Sequence, residues 1–142
     1  MEKKYEVLKL EKQLCFPLYA CSRELIKLYK PYLDELDLTY TQYIAMMVLW
    51  EKKSVTVKEL GTALFLDSGT LTPLLKKMEA KGLLNRRRSA DDERNLIVTL
   101  TDAGEALRDR AVSVPVNMAC NVNLEPEEAR ELYRLLYKLL QR

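Results

Sequence analysis

The chain has 142 residues, 48% of them apolar and 31% charged, and its 23 Lys and Arg against 21 Asp and Glu leave a net charge of +2. That length and composition fit one domain, 1-142, mainly α-helical by its patterning, and no run of about 18 apolar residues predicts a membrane span. Histidine is absent, so no Ser-His or Cys-His nucleophile pair can form, and Cys15, Cys21 and Cys120 lack zinc-type spacing.

Those grounds argue against a hydrolase or metalloenzyme, and nothing calls for a cofactor or a metal. The opening Met1-Glu2-Lys3-Lys4-Tyr5-Glu6 mixes charges where a signal peptide has its apolar core, which predicts a cytoplasmic protein. Three cysteines are an odd number for a disulfide framework, leaving buried inert thiols or a redox pair.

In chain order, a helical pattern runs from about Leu8 to Leu33. Leu14, Leu18, Cys21, Leu25, Leu28 and Tyr32 form one apolar stripe at spacings of three and four, which assigns Cys21 to packing. Pro17 interrupts it. Either the main helix starts near Pro17 or a longer one kinks there; in the first case Cys15 lies just ahead of a helix N-terminus, where the macrodipole favours a thiolate. Pro31 and Asp34-Glu35-Leu36-Asp37 predict a break. Thr39-Tyr40-Thr41-Gln42 is a capping box for a buried helix, with Ile44, Met47 and Val48 among its expected core contacts.

Lys52 to Val55 reads as a linker. Then Thr56-Val57-Lys58-Glu59 is a second capping box, opening a helix to Leu64, and a second helix spans Ser68 to Lys81 with Ser68 as its expected N-cap. Its first turn carries Gly69, Thr70 and Thr72, small side chains that let a helix end approach a base edge or phosphate. Gly82 stops it as a C′ glycine. A charged hairpin, Leu84 to Leu100, follows, so the order is helix, turn, helix, wing. Between Lys76 and Arg94 stand seven basic residues (Lys76, Lys77, Lys81, Arg86, Arg87, Arg88, Arg94) against four acidic ones (Glu79, Asp91, Asp92, Glu93). Arg86 and Arg88 share a strand face from which they can reach a DNA backbone.

Thr101 caps a helix to about Val112 that Pro115 limits, and Pro126 starts a last helix striped with Leu132, Leu135, Leu136, Leu139 and Leu140. Two apolar terminal helices around a small winged module predict a symmetric dimer that presents two recognition helices to two half-sites. The expected division is 40-101 for a winged helix-turn-helix and 8-38 with 102-142 for dimerisation helices.

Leu60-Gly61…Leu64, then Asp67 through Glu79, Gly82-Leu83, Arg86-Arg87-Arg88 and Asp92-Glu93-Arg94…Leu100-Thr101 resemble the MarR family of winged-helix transcriptional regulators. Leu10-Glu11…Gln13-Leu14-Cys15-Phe16…Leu18-Tyr19-Ala20, with Tyr29-Lys30-Pro31 and Thr39-Tyr40…Gln42-Tyr43, is similar to the organic hydroperoxide resistance regulators within it. The resemblance implies a homodimeric repressor of a pseudo-palindromic DNA operator, released when organic hydroperoxides oxidise Cys15. It implies that Tyr29 and Tyr40, with Tyr19 a weaker candidate, hydrogen-bond the Cys15 thiolate across the dimer. It implies Cys120 as a resolving cysteine, with a small buried hydrophobe the alternative. On the DNA side it implies contacts from Ser68, Gly69, Thr70, Thr72, Pro73, Lys76 and Lys77, with Arg94 in the minor groove held by Asp92. Two other readings stay open: a repressor opened by a phenolic ligand, and a thiol peroxidase on a DNA-binding fold. The second lacks any Cys-x-x-Cys motif.

Overall fold

A computed structural model describes residues 2–91 and 95–141; Asp92 and Arg94 lie outside them. Two short 3₁₀ helices, Glu2–Leu8 and Leu10–Lys12, precede α1 (Cys15–Asp34). Pro17 falls in the first turn of α1, where its missing N–H costs nothing, so Cys15 is the first helical residue. The expected break falls in the acidic part of the marked segment: α1 carries Pro31 inside its last turn and ends at Asp34. The chain then reverses through Leu36 and Leu38, both buried, with Asp37 at a φ of +54°.

Helix α2 (Tyr40–Lys52) has the expected capping box: the Thr39 hydroxyl accepts from the Gln42 amide, and Gln42 Oε1 accepts from the Thr39 amide at 3.1 Å. Its buried face is Tyr43, Met46, Leu49 and Trp50. Met47, expected in the core, is 42% exposed, because positions 46, 49 and 50 already define the inward side. The expected linker contains a strand, β1 (Ser54–Thr56). After α3 (Val57–Leu64) and α4 (Ser68–Ala80) come β2 (Leu84–Arg88) and β3 (Leu96–Leu100), and the sheet is three-stranded and antiparallel in the order β1-β3-β2. Val55 pairs with Val98, and Leu84 with Leu100.

Helix α5 (Asp102–Ala111) begins at a crowded joint. The Thr101 hydroxyl accepts from the Gly104 amide at 3.0 Å and donates to the Gly82 carbonyl at 2.6 Å, while Trp50 Nε1 donates to the Gly104 carbonyl at 2.9 Å. A methyl on Gly104 would lie 2.3 Å from the Leu83 carbonyl oxygen, so only glycine admits this approach. Helix α6 (Ser113–Ala119) takes Pro115 in its first turn, and α7 (Pro126–Leu140) starts on Pro126 with the Glu125 amide bound to Glu128 Oε1 at 2.9 Å.

Leu33, Leu49, Leu60, Leu71, Leu75, Met78, Leu84, Val98 and Val114 are at most 2% exposed and knit α1 to α6 into one core beneath the winged module. The start of α1 and all of α7 lie outside it. Leu14 is 72% exposed and Leu139 56%, and α7 buries no residue at all. Cys21 is exposed rather than packed, as are Leu14, Leu18, Leu25 and Leu28 of its stripe, while Tyr32 at the far end packs against the core. No helix among the described residues is long and apolar enough to cross a membrane.

Candidate nucleic-acid interface and thiol sites

Helices α3 and α4 are joined by a tight turn. Thr56 caps α3 through the expected box with Glu59. Gly61 accepts the close pass of the following loop, since a methyl there would meet the Leu66 carbonyl oxygen at 2.7 Å. The N-cap of α4 is Asp67, not Ser68: its Oδ1 accepts from the Thr70 amide at 2.7 Å, which with the Thr70 hydroxyl holds the carboxyl below its usual range. Both residues suit a cap, and the turn geometry admits the earlier one. Ser68 becomes the first helical residue.

Leu71, Leu75 and Met78 bury one face of α4. The opposite face exposes Ser68, Gly69, Thr70, Pro73, Lys76 and Lys77, with Thr72 half-buried and its hydroxyl bound to the Ser68 carbonyl at 2.8 Å. These seven residues, singled out on the sequence, therefore all lie off the buried face of α4, Ser68 to Pro73 in its N-terminal half and Lys77 in its last turn. Gly82, at a φ of +79°, ends it as expected.

The wing root is fastened to that helix. Glu79 accepts from the Arg86 amide at 2.8 Å and from its Nη2 at 3.2 Å, and these bonds hold the Glu79 carboxyl below its usual range. The Arg86 side chain is only 19% exposed, so a phosphate contact from it would have to use its remaining N–H groups. Arg86 lies on the face of β2 shared with buried Leu84, whereas Arg87 lies on the opposite one; Arg88 is exposed. Lys81 secures the other end, donating to the Asp37 carbonyl and, at 3.1 Å, to Gln42 Oε1. Sequence reasoning missed Glu79 and Lys81 as organising residues. A carboxylate seven residues before an arginine, across a glycine turn, is a weak signal for the first; nothing local announces the second.

All three thiols are exposed. Cys15 stands at the N-terminal end of α1, whose cap residue, Leu14, offers no side-chain acceptor. Tyr19, one turn on, is exposed and has the Arg23 guanidinium 5.5 Å from its ring centre. Tyr29 and Tyr40 meet edge to face at 5.0 Å, and Tyr43 completes the cluster at 6.0 and 6.2 Å. Burial raises all three phenols, and for Tyr40 and Tyr43 neighbouring phenols add to it; Tyr43 reaches about 12. They are therefore protonated donors at neutral pH. Cys15 and Tyr29 are fourteen residues apart on one helix, about 21 Å by its rise, so no thiol–Tyr29 bond forms within a chain. Cys120 ends α6 with its thiol 3.8 Å from the Val116 carbonyl, and next to it Asn121 donates to the Tyr32 hydroxyl at 3.2 Å. No group of three His, Cys, Asp or Glu among the described residues could hold a metal ion.

The family model for the transcriptional regulators SarA/Rot matches residues 27–111. The organic hydroperoxide resistance transcriptional regulator of Bacillus subtilis is 49% identical over 141 residues, covering 99% of this chain and 96% of that protein. Among solved structures, reduced AbfR bound to DNA is 33% identical, covers 99% of this chain and 98% of its own, and superposes with a TM-score of 0.79. The disulfide form of AbfR, a protein of Staphylococcus epidermidis, is 34% identical over 99% and 98%, with a TM-score of 0.68. These relatives are regulators, not enzymes. With its helix-turn-helix, wing and exposed N-terminal thiol, the chain belongs to the MarR and SarA/Rot winged-helix transcriptional regulators, in the organic hydroperoxide resistance group.

Proposed function

We propose that the chain is a homodimeric repressor that occupies a pseudo-palindromic operator while Cys15 is reduced and leaves it when an organic hydroperoxide oxidises that thiol. The observation that carries this reading is the exposed Cys15 at the start of an uncovered apolar helix, in a chain 49% identical to an organic hydroperoxide regulator. Residues 40–101 bind DNA, 8–38 and 102–142 pair the subunits, and the protein works in the cytoplasm. The α4 face from Ser68 to Lys77 enters the major groove, with Lys76, Lys77 and Arg88 on phosphates; Arg86 anchors the wing that carries Asp92 and Arg94 to the minor groove.

Tyr29 and Tyr40 of one subunit, and more weakly Tyr19, serve Cys15 of the other. Their raised phenols suit the task, since a protonated O–H donates to a thiolate whereas a phenolate repels it. The thiolate attacks a peroxide oxygen, the O–O bond breaks, and the alcohol leaves with a proton as Cys15 becomes a sulfenic acid. The thiol of Cys120 of the partner subunit then displaces water to close a disulfide. That bond draws α6 toward Cys15 and strips Asn121 from Tyr32, shifting the helices that set the spacing of the two recognition helices. The reduced, DNA-bound and the disulfide forms of AbfR support this sequence.

The test is a Cys15→Ser variant. It should bind operator like the unaltered protein and stay bound in cumene hydroperoxide; release on oxidation would sink the sensor assignment. Non-reducing mass spectrometry of the oxidised dimer should find Cys15 linked to Cys120.

A further inference from the structure

Phe65, in the turn of the helix-turn-helix, has a backbone and a side chain that are both unfavourable in the free chain. Its φ of +56° holds a bulky residue in the left-handed region, at the helix end that glycine usually occupies. Its ring is 59% exposed, so the strain secures no core contact. The ring lines a cleft of about 730 Å³, with Lys58 and Thr62 of α3 on one wall and Ser68 and Thr72 of α4 on the other. The cleft is thus continuous with the end of α4 that faces DNA, and a lysine lines it together with the aromatic ring.

We propose that Phe65 is a further DNA-contacting residue, whose ring packs on the deoxyribose carbons and thymine methyl of the operator strand crossing the start of α4. This rests on the DNA-binding reading above. A strand whose phosphate is held by Lys58 and the first amides of α4 presents its sugar to the cleft, and the thymine methyl is the apolar group of the major groove edge. The left-handed backbone turns the ring outward instead of into the core.

The experiment uses the reduced full chain, a duplex that the unaltered protein selects from a random pool, and Phe65→Gly and Phe65→Leu variants. Phe65→Gly should bind about tenfold more weakly per half-site, so about a hundredfold for the dimer. The slope of log affinity against log salt should not change, because no charge is removed. Its melting temperature should equal or exceed that of the unaltered protein, since glycine accepts the positive φ without strain. Phe65→Leu should retain most of the affinity. Undiminished binding by Phe65→Gly overturns the proposal, as does weakened subunit association in sedimentation, which would make the ring a dimer contact. Absence of any specific duplex from the selection overturns the DNA-binding reading itself.

Discussion

Replacing Gly104 with alanine should destabilise the protein by about 1–3 kcal/mol. The new methyl would lie 2.3 Å from the Leu83 carbonyl oxygen and 2.7 Å from Leu100 Cδ1. An ordinary carbon–oxygen contact is about 3.3 Å or more, so the start of α5 must retreat by about 1 Å. That retreat stretches the bond from the Thr101 amide to the Leu83 carbonyl, already 3.2 Å, and disturbs the bond from Trp50 Nε1 to the Gly104 carbonyl. Overpacking costs about 1–3 kcal/mol and one weakened hydrogen bond about 1, offset by about 1 from the better helix propensity of alanine. For a chain of this length the upper end of that loss corresponds to roughly 10 °C in melting temperature. Thermal unfolding of the reduced protein by circular dichroism measures it, at one fixed protein concentration because dimerisation makes the midpoint concentration-dependent. Gly69→Ala is the control: its methyl would meet only Asp67 Oδ1 at 3.5 Å, an ordinary contact. If Gly104→Ala melts with the unaltered protein, the packing argument is wrong.

The raised phenols predict how stability responds to alkali. Tyr29, Tyr40 and Tyr43 ionise near pH 10 in the unfolded chain and later in the folded one, Tyr43 at about 12. Their contribution is complete below about pH 10 and is lost as pH rises toward 12, because the unfolded chain releases its protons first. Chemical denaturation across that range should record a steeper loss for the unaltered protein than for Tyr43→Phe; identical curves refute it. The wing clamp is testable by a double-mutant cycle on Glu79→Ala and Arg86→Ala in operator binding. If Arg86 acts as an anchor, each single change weakens binding, the double is no worse than either, and the salt slope stays constant. A slope lower by about 1 per subunit in Arg86→Ala alone would make it a phosphate contact instead.

What the sequence determined by itself was local. Thr39, Thr56 and Thr101 cap helices through bonds to residues three positions on, and Gly82 supplies a left-handed turn, so short-range spacing carries enough information to place all four. Pro17 left two outcomes, and the fold took the one in which the missing N–H is not needed. The apolar stripes of α1 and α7 were legible as stripes, but their cover was not, because periodicity says which residues share a face and not what lies opposite.

Tertiary structure decided the rest. Strand β1 is three residues long, too short for any alternation, and exists because Val55 finds Val98 across 43 positions of chain. Asp67 displaced Ser68 as cap because the folded turn sets its carboxylate, not the Ser68 hydroxyl, against the Thr70 amide. Arg86 is folded onto Glu79 because both ends of the glycine turn are pinned, by Thr101 on one side and Lys81 on the other. The separation of Cys15 from Tyr29 along one rigid helix is the same kind of fact. The residue types named Cys15 and Tyr29 as partners, but the length of α1 keeps them about 21 Å apart within one chain.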